Sequence, residues 1–173
     1  MVRLECLSED EFSMVVEWFG REKPDMLLQW AGPTYTYPLT VEQLLNHYNE
    51  GINQEQSRTF VYKIMDESTG EAAGMIQLGR IDRTAGTAVV GRFWIQEHLR
   101  HKGVGTAALR NLIDKAVREF QLRQLILRVF DFNLPAIKCY EKLGFRIWAR
   151  NDKVCQASNG EWWSEYEMRL MLD

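Results

Sequence analysis

The chain of 173 residues lacks the features that mark several protein classes. No run approaches the ~18 consecutive apolar residues of a membrane-spanning helix. The start, Met1-Val2-Arg3-Leu4-Glu5, carries no apolar stretch of the kind found in secretory signals. Both absences lead to the expectation of a cytoplasmic protein with no membrane partner. Cysteine is scarce: Cys6, Cys139 and Cys155 are odd in number, far apart and never in a Cys-x-x-Cys pair. That pattern argues against a disulfide framework and against a zinc site, so three reduced thiols and no metal are expected. A basic excess is missing too. With 21 Lys and Arg against 24 Asp and Glu, the net charge is -3, which disfavours a nucleic-acid partner. Local basic clusters remain able to hold a small anion. Internal repeats, low-complexity segments and linker-like stretches are absent, so one domain over residues 1–173 is expected.

What is present is ordinary for a globular chain, with 46% hydrophobic and 26% charged residues, and it is ordered in a readable way. Residues 2 to 7 read as a strand. Ser8-Glu9-Asp10-Glu11 is a capping box that opens a helix to about Phe19, closed at Gly20. From Arg21 to Leu39, Pro24, Gly32, Pro33 and Pro38 interrupt the chain among Trp30, Tyr35 and Tyr37, which predicts a loop or broken helix carrying aromatic side chains. Thr40-Val41-Glu42-Gln43 repeats the capping-box pattern and opens a helix to about Asn49. Arg58–Met65, Ala72–Ile81 and Thr87–Ile95 follow as strands of an antiparallel meander, joined by short polar turns.

The most informative segment is Arg92-Phe-Trp-Ile-Gln-Glu-His-Leu-Arg-His-Lys-Gly-Val-Gly105. An apolar strand end, Phe93-Trp94-Ile95, passes through a basic turn into Gly103-Val104-Gly105, and Thr106 leads into a helix whose apolar face is Leu109, Leu112, Ile113, Ala116, Val117 and Phe120. Two glycines let the backbone approach a ligand without an intervening Cβ, and the unpaired N–H groups of the first helical turn point at it. Such a turn binds anions through geometry and dipole together. Arg100 and Lys102 add charge that suits a pyrophosphate. Leu125 to Phe130 then reads as a buried strand, parallel to the one ending at Ile95 across a right-handed crossover. Asn133 caps a last helix with Pro135 in its first turn, ending at Leu143-Gly144, and Phe145–Ala149 and Tyr166–Leu170 supply two final strands. The class is α/β (α+β).

Asn133 and Tyr140 lie two turns apart on one face of that last helix. With the glycine turn, they make the chain resemble the GNAT superfamily of acyl-coenzyme A dependent N-acetyltransferases. Arg100-x-x-Gly103-x-Gly105 matches that family's Gln/Arg-x-x-Gly-x-Gly/Ala signature, and Asn133 to Phe145, with Ala136, Tyr140 and Gly144, matches its Asn-x-x-Ala-x-x-x-Tyr-x-x-x-Gly-Phe segment. The resemblance implies a mixed, mostly antiparallel central sheet with a parallel splayed strand pair, flanked by helices. It implies an N-acetyltransferase domain that uses acetyl-CoA as co-substrate and transfers the acetyl group directly to a primary amine of a small molecule or of a protein or peptide. Monomer and homodimer both stay open, since aromatics near the last strands would permit a dimer.

By the same resemblance, the main chain of Phe93, Trp94 and Ile95 would pair with pantetheine, an N–H near Ile95 would polarise the thioester carbonyl, and His101, Lys102, Gly103, Val104, Gly105 and Thr106 would hold the pyrophosphate with Arg100. Asn133 would contact the cofactor, and Tyr140 would protonate the departing thiolate. The chain departs from some members at Arg128, where they carry a glutamate base. Glu97, Glu165 and Glu167 are the carboxylates near the expected cleft, with His98 and His101 as turn residues rather than bases. Trp30, Tyr35 and Tyr37, with Asp25, Glu42, the last two strands and Glu161-Trp162-Trp163, would shape the acceptor side. Two alternatives stay open. Gly103 to Ala108 also fits a dinucleotide fingerprint with Asp131 downstream, and the fold could serve as an acyl-CoA sensor without catalysis.

Overall fold

The computed structural model describes residues 1–172, and Asp173 lies outside the described part. Its centre is a seven-stranded sheet. The strands are β1 (Val2–Cys6), β2 (Phe60–Asp66), β3 (Ala72–Asp82), β4 (Thr87–Ile95), β5 (Gln124–Phe130), β6 (Arg146–Gln156) and β7 (Trp162–Met171). Their spatial order is β1-β2-β3-β4-β5-β7-β6, and only β4 and β5 run parallel. The crossover between them is carried by α4 (Val104–Arg118).

Local chemistry explains the helices. Ser8 and Glu11 make the reciprocal capping box, with the Ser8 N–H donating to Glu11 Oε2 at 3.0 Å, ahead of α1 (Phe12–Phe19). The aromatic stretch is a broken helix: Pro24 sits in the first turn of α2 (Pro24–Ala31), and Gly32 at positive φ stops it before a single 3-10 turn. Thr40 caps α3 (Val41–Tyr48) by accepting from the Gln43 N–H at 3.3 Å. Gln43 does not close a second box, because its side-chain oxygen accepts from the Thr36 N–H at 2.8 Å and so pins the aromatic segment. Asn133 caps α5 (Leu134–Lys142) through Ala136 N–H. The last two strands run longer than the apolar pattern indicates, and Trp162 and Trp163 lie within β7 rather than before it.

Each face of the sheet buries its own core. On one face Ile64, Ile76, Leu78, Leu125, Leu127 and Met168 pack under α4 with Leu109 and Leu112. On the other, Val61, Met75 and Trp94 pack under α1 to α3 with Phe12, Phe19 and Trp30. That second cluster draws on β2, β3 and β4 but on no residue of β5 or β7. The helices therefore cover one half of this face and leave the other half as the wall of a cleft.

The cleft is widened by the strands themselves. β4 pairs with β5 only from Thr87–Gln124 to Val90–Leu127, although β4 continues to Ile95 and β5 to Phe130. The cause is a bulge: Arg92 and Phe93 together oppose Ile76 of β3, and Arg92 takes φ 46°. An inserted residue bends its strand and raises the local twist, so β4 turns away while β5 stays paired with β7 as far as Phe130–Glu165.

Candidate active site

Two cavities meet at the splay. The smaller, of about 600 Å³, runs past Phe93, Trp94, Ile95, Arg100, His101, Gly103, Gly105, Thr106 and the face of α5 bearing Pro135, Ala136 and Cys139. The larger, of about 1050 Å³, extends along the uncovered sheet face between Trp30, Tyr35 and His47 on one side and Arg128, Glu165 and Glu167 on the other. Gln29, Trp30, Phe93, Asn133 and Tyr140 line both, so a group passed from one to the other crosses their junction.

The smaller cavity has the makings of an anion cradle. Gly103 precedes α4 in the left-handed conformation, φ 81°, which a side chain adopts only with strain. It provides no side-chain cap, and the first turn of α4 holds no acidic residue, so the early N–H groups are left without a side-chain partner where Gly103, Gly105 and Thr106 line the cavity. A Cβ built on Gly105 would meet Phe93 and Ile95 at ordinary van der Waals distances, 3.6 and 3.7 Å. Packing therefore does not require that glycine; it keeps room for a ligand. Arg100 is anchored rather than free, with Nε donating to the Ile95 carbonyl at 2.9 Å and its guanidinium 4.5 Å over the Trp94 ring. The Gln96 N–H donates to Ala73 of β3, so by strand alternation the Ile95 main chain turns to the unpaired edge facing β5.

Tyr140 stands at the junction, 8% exposed. Burial, and secondarily the neighbouring Cys139, push its phenol well above the usual range, so it stays protonated through neutral pH. Among the described residues no hydrogen bond to its hydroxyl is found, and the residue lines both cavities. Asn133 keeps its side-chain oxygen on Ala136 N–H at 3.4 Å, leaving its amide nitrogen for the cavity. Lys102 is exposed and Val104 packs toward the core, and neither lines a cavity. The other ten residues expected at the cofactor do line the smaller one.

The expected acceptor residues divide. Trp30 and Tyr35 form a wall, stacked at 5.7 Å, whereas Tyr37 is 48% exposed outside both cavities. Asp25 is occupied elsewhere, accepting from the Ser158 N–H and hydroxyl at 2.8 and 2.9 Å, which ties α2 to the β6–β7 turn. Glu42, Glu97, His98, Glu161, Trp162 and Trp163 also lie outside both cavities. Glu165 and Glu167 line the larger one. Glu165 accepts from Asn151 at 3.2 Å and faces Arg128 at 3.6 Å, and Glu167 pairs with Arg169 at 2.7 Å.

Sequence reasoning missed His47, Arg80, Arg92 and Gln77. Their helix and strand spacings resemble ordinary surface or core patterns, and only the break in strand alternation at each arginine was available as a signal. His47 Nδ1 and the Tyr35 hydroxyl share a hydrogen bond of 2.5 Å; burial first, and then the Arg92 charge, hold the His47 pKa below the ordinary histidine value.

Comparison with known proteins agrees with this geometry. The sequence profile described as Acetyltransferase (GNAT) family matches residues 17–145. The chain is similar to an aminoglycoside N(6')-acetyltransferase type 1 of Klebsiella pneumoniae, 23% identical over 150 residues, covering 83% of this chain and 73% of that one. It is similar over a shorter stretch to an L-amino acid N-acetyltransferase of Escherichia coli (strain K12), 32% identical over 74 residues, 43% of this chain and 45% of that one. In fold it matches the crystal structure of spermidine N-acetyltransferase from Vibrio cholerae in complex with CoA and spermine, with TM-score 0.84, 16% identity and coverage of 98% and 95% of the two chains.

Proposed function

Since the chain belongs to the GNAT acetyltransferase family and is an acetyl-CoA dependent N-acetyltransferase, we propose that its acceptor is the primary amine of a small molecule, bound in the larger cavity and acetylated at the Tyr140 junction. The observation that carries this reading is the meeting of a main-chain anion cradle and a polar, aromatic-walled cleft at one buried tyrosine that lines both. The aminoglycoside, amino acid and spermidine acetyltransferases named above all act on small amines, which supports the same class of acceptor.

Acetyl-CoA supplies an acetyl thioester, whose carbonyl carbon bonds to the amine nitrogen as the carbon–sulfur bond breaks. The first turn of α4 and the His101–Thr106 main chain bind the pyrophosphate. The Ile95 N–H, on the unpaired edge of β4, polarises the thioester carbonyl. Tyr140 gives its hydroxyl proton to the leaving sulfur and regains one, directly or through water, from the newly acylated nitrogen, which must lose its second proton to become the amide. The amine arrives as an ammonium and must shed a proton first, and Glu165, at the cleft end of β7, receives it directly or through water. Three free thiols fit a reducing compartment, which supports the cytoplasm as the place of action.

The test is an assay of free thiol release from acetyl-CoA against a panel of small amines and an unrelated lysine-bearing peptide, with the acetylated product identified by mass. Turnover with small amines and none with the peptide is the expected result. Turnover with the peptide alone would overturn the acceptor class. Release that no amine accelerates, despite CoA binding, would favour the sensor reading. The dinucleotide reading loses its acidic residue, since Asp131 pairs with Arg150 at 3.0 Å.

A further inference from the structure

The larger cavity contains two arginines placed there by the same device. On β3 the residues facing the α4 core are Ile76, Leu78 and then Ile81; on β4 they are Ala88, Val90 and then Phe93 and Ile95. The period of two breaks at each arginine. Arg80 and Ile81 together oppose Ala88, and Arg92 and Phe93 together oppose Ile76. Each inserted arginine has a left-handed backbone, φ 51° at Arg80 and 46° at Arg92. Regular alternation would have aimed both side chains into the apolar core. The bulges turn them to the opposite face, where both line the cleft. A left-handed backbone is costly for a long side chain, and the fold accepts that cost twice at one site.

Neither arginine has a counter-charge. Among the described residues the other charged groups of the sheet wall are matched, Arg128 with Glu165 and Glu167 with Arg169, whereas Arg80 and Arg92 form no ion pair. Arg92 is also held in position. One Nη donates to Thr34 Oγ1 at 2.8 Å, and the guanidinium lies 5.9 Å from the Trp30 ring centre and 5.5 Å from that of Tyr35. Its Nε is buried without a partner, as is Nε1 of Trp30 on the same wall. Both are donors, and nothing among the described residues accepts from them. A half-buried fixed cation with an unused donor is complementary to an oxyanion.

Resting on the acetyltransferase reading, we propose that Arg92, with Arg80 adding positive field, forms a subsite for an acid group, so that the acceptor is an amine that also bears a carboxylate or comparable oxyanion. Glu50, which lines the same cavity without an ion pair, and Glu165 lie where the ammonium end is favoured. A polyamine would bring a second positive charge against two guanidiniums and is selected against.

The experiment compares matched amines with acetyl-CoA: amino acids, their amides, and the same amines without the acid group. The acid-bearing member is expected to have kcat/KM at least about tenfold higher, mainly through KM, as loss of a charged hydrogen-bonded contact would give. That preference is expected to fall toward unity in Arg92→Gln, partly in Arg80→Gln, and to persist in part in Arg92→Lys. Equal or better turnover of the acid-free amines by the wild type would overturn the subsite while leaving acetyl transfer intact. If no amine in the set is acetylated, glutarate is titrated into CoA-saturated protein, where the pyrophosphate cradle is already filled. Binding that is lost in the Arg80→Gln/Arg92→Gln double variant supports the subsite, and absence of binding to the wild type overturns it. Failure of CoA itself to bind would instead overturn the acetyltransferase reading on which the subsite rests.

Discussion

The cofactor half of the cleft is built from main chain and the acceptor half from side chains. On the proposed cofactor side, the groups available for binding are a left-handed glycine, an uncapped helix start and an unpaired strand edge, and Arg100 mainly braces the turn against Ile95 and Trp94. On the acceptor side Trp30, Tyr35, His47, Arg92 and Glu165 come from α2, the turn that follows it, α3, β4 and β7, and meet only because α1 to α3 cover part of one sheet face. A main-chain site tolerates side-chain change as long as its glycines stay, so different chains can share one cofactor. A side-chain site changes with each substitution, so the same fold can serve different acceptors.

The junction between the halves gives the largest expected effect. Tyr140→Phe removes the proposed proton donor without removing the ring and should lower kcat by a factor of about 10² to 10⁴, with CoA affinity by calorimetry nearly unchanged. Unchanged turnover would mean that leaving-group protonation comes from solvent and that the junction is only a passage. On the cofactor side, Gly103→Val forces a β-branched residue to φ 81°. It should cost about 1–3 kcal/mol of stability in a urea titration and weaken CoA markedly more than any acceptor. Equal weakening of both ligands would dissolve the distinction between the halves.

A smaller effect belongs to the acceptor side alone. His47 is held neutral by burial and by Arg92, so its folded pKa lies below the unfolded value near 6.5. The unfolded chain therefore binds the extra proton more readily. The stability contributed by the neutral form is intact above pH 6.5 and is lost as the pH falls from there toward the folded value. Thermal unfolding from pH 7.5 down to 5.5 should show a declining Tm, and His47→Gln should flatten that decline. The smallest effect is expected at Tyr37→Ala. Its side chain is half exposed outside both cavities, and kinetics and stability should both stay within about 0.5 kcal/mol of the wild type.

Much of the molecule was legible before any coordinates. The Ser8–Glu11 box, the Thr40 cap, the 3.6-residue face of α4 and the Asn133–Pro135 start of α5 are local signals with local causes, and each appears where the pattern puts it. Of the expected cofactor residues only Lys102 and Val104 point elsewhere, because turn and helix-start residues alternate in direction within a few positions. The aromatic segment was less legible. Trp30, Tyr35 and Tyr37 look alike in sequence, yet packing against Phe19 and Arg92 buries the first, half-buries the second and leaves the third outside. Asp25 and Glu42 looked like partners for an amine, but one is spent on Ser158 and the other faces solvent.

Sequence alone determined what neighbouring residues decide among themselves: where helices begin, which strands are buried, and where two glycines free a row of N–H groups for an anion. Only the tertiary structure decided which distant side chains share a cleft. Strand register, two single-residue insertions at Arg80 and Arg92, and the partial helical cover of one sheet face are set by long-range packing. Shifting a strand by one residue sends every following side chain to the other face, so the acceptor half exists only once the sheet is assembled.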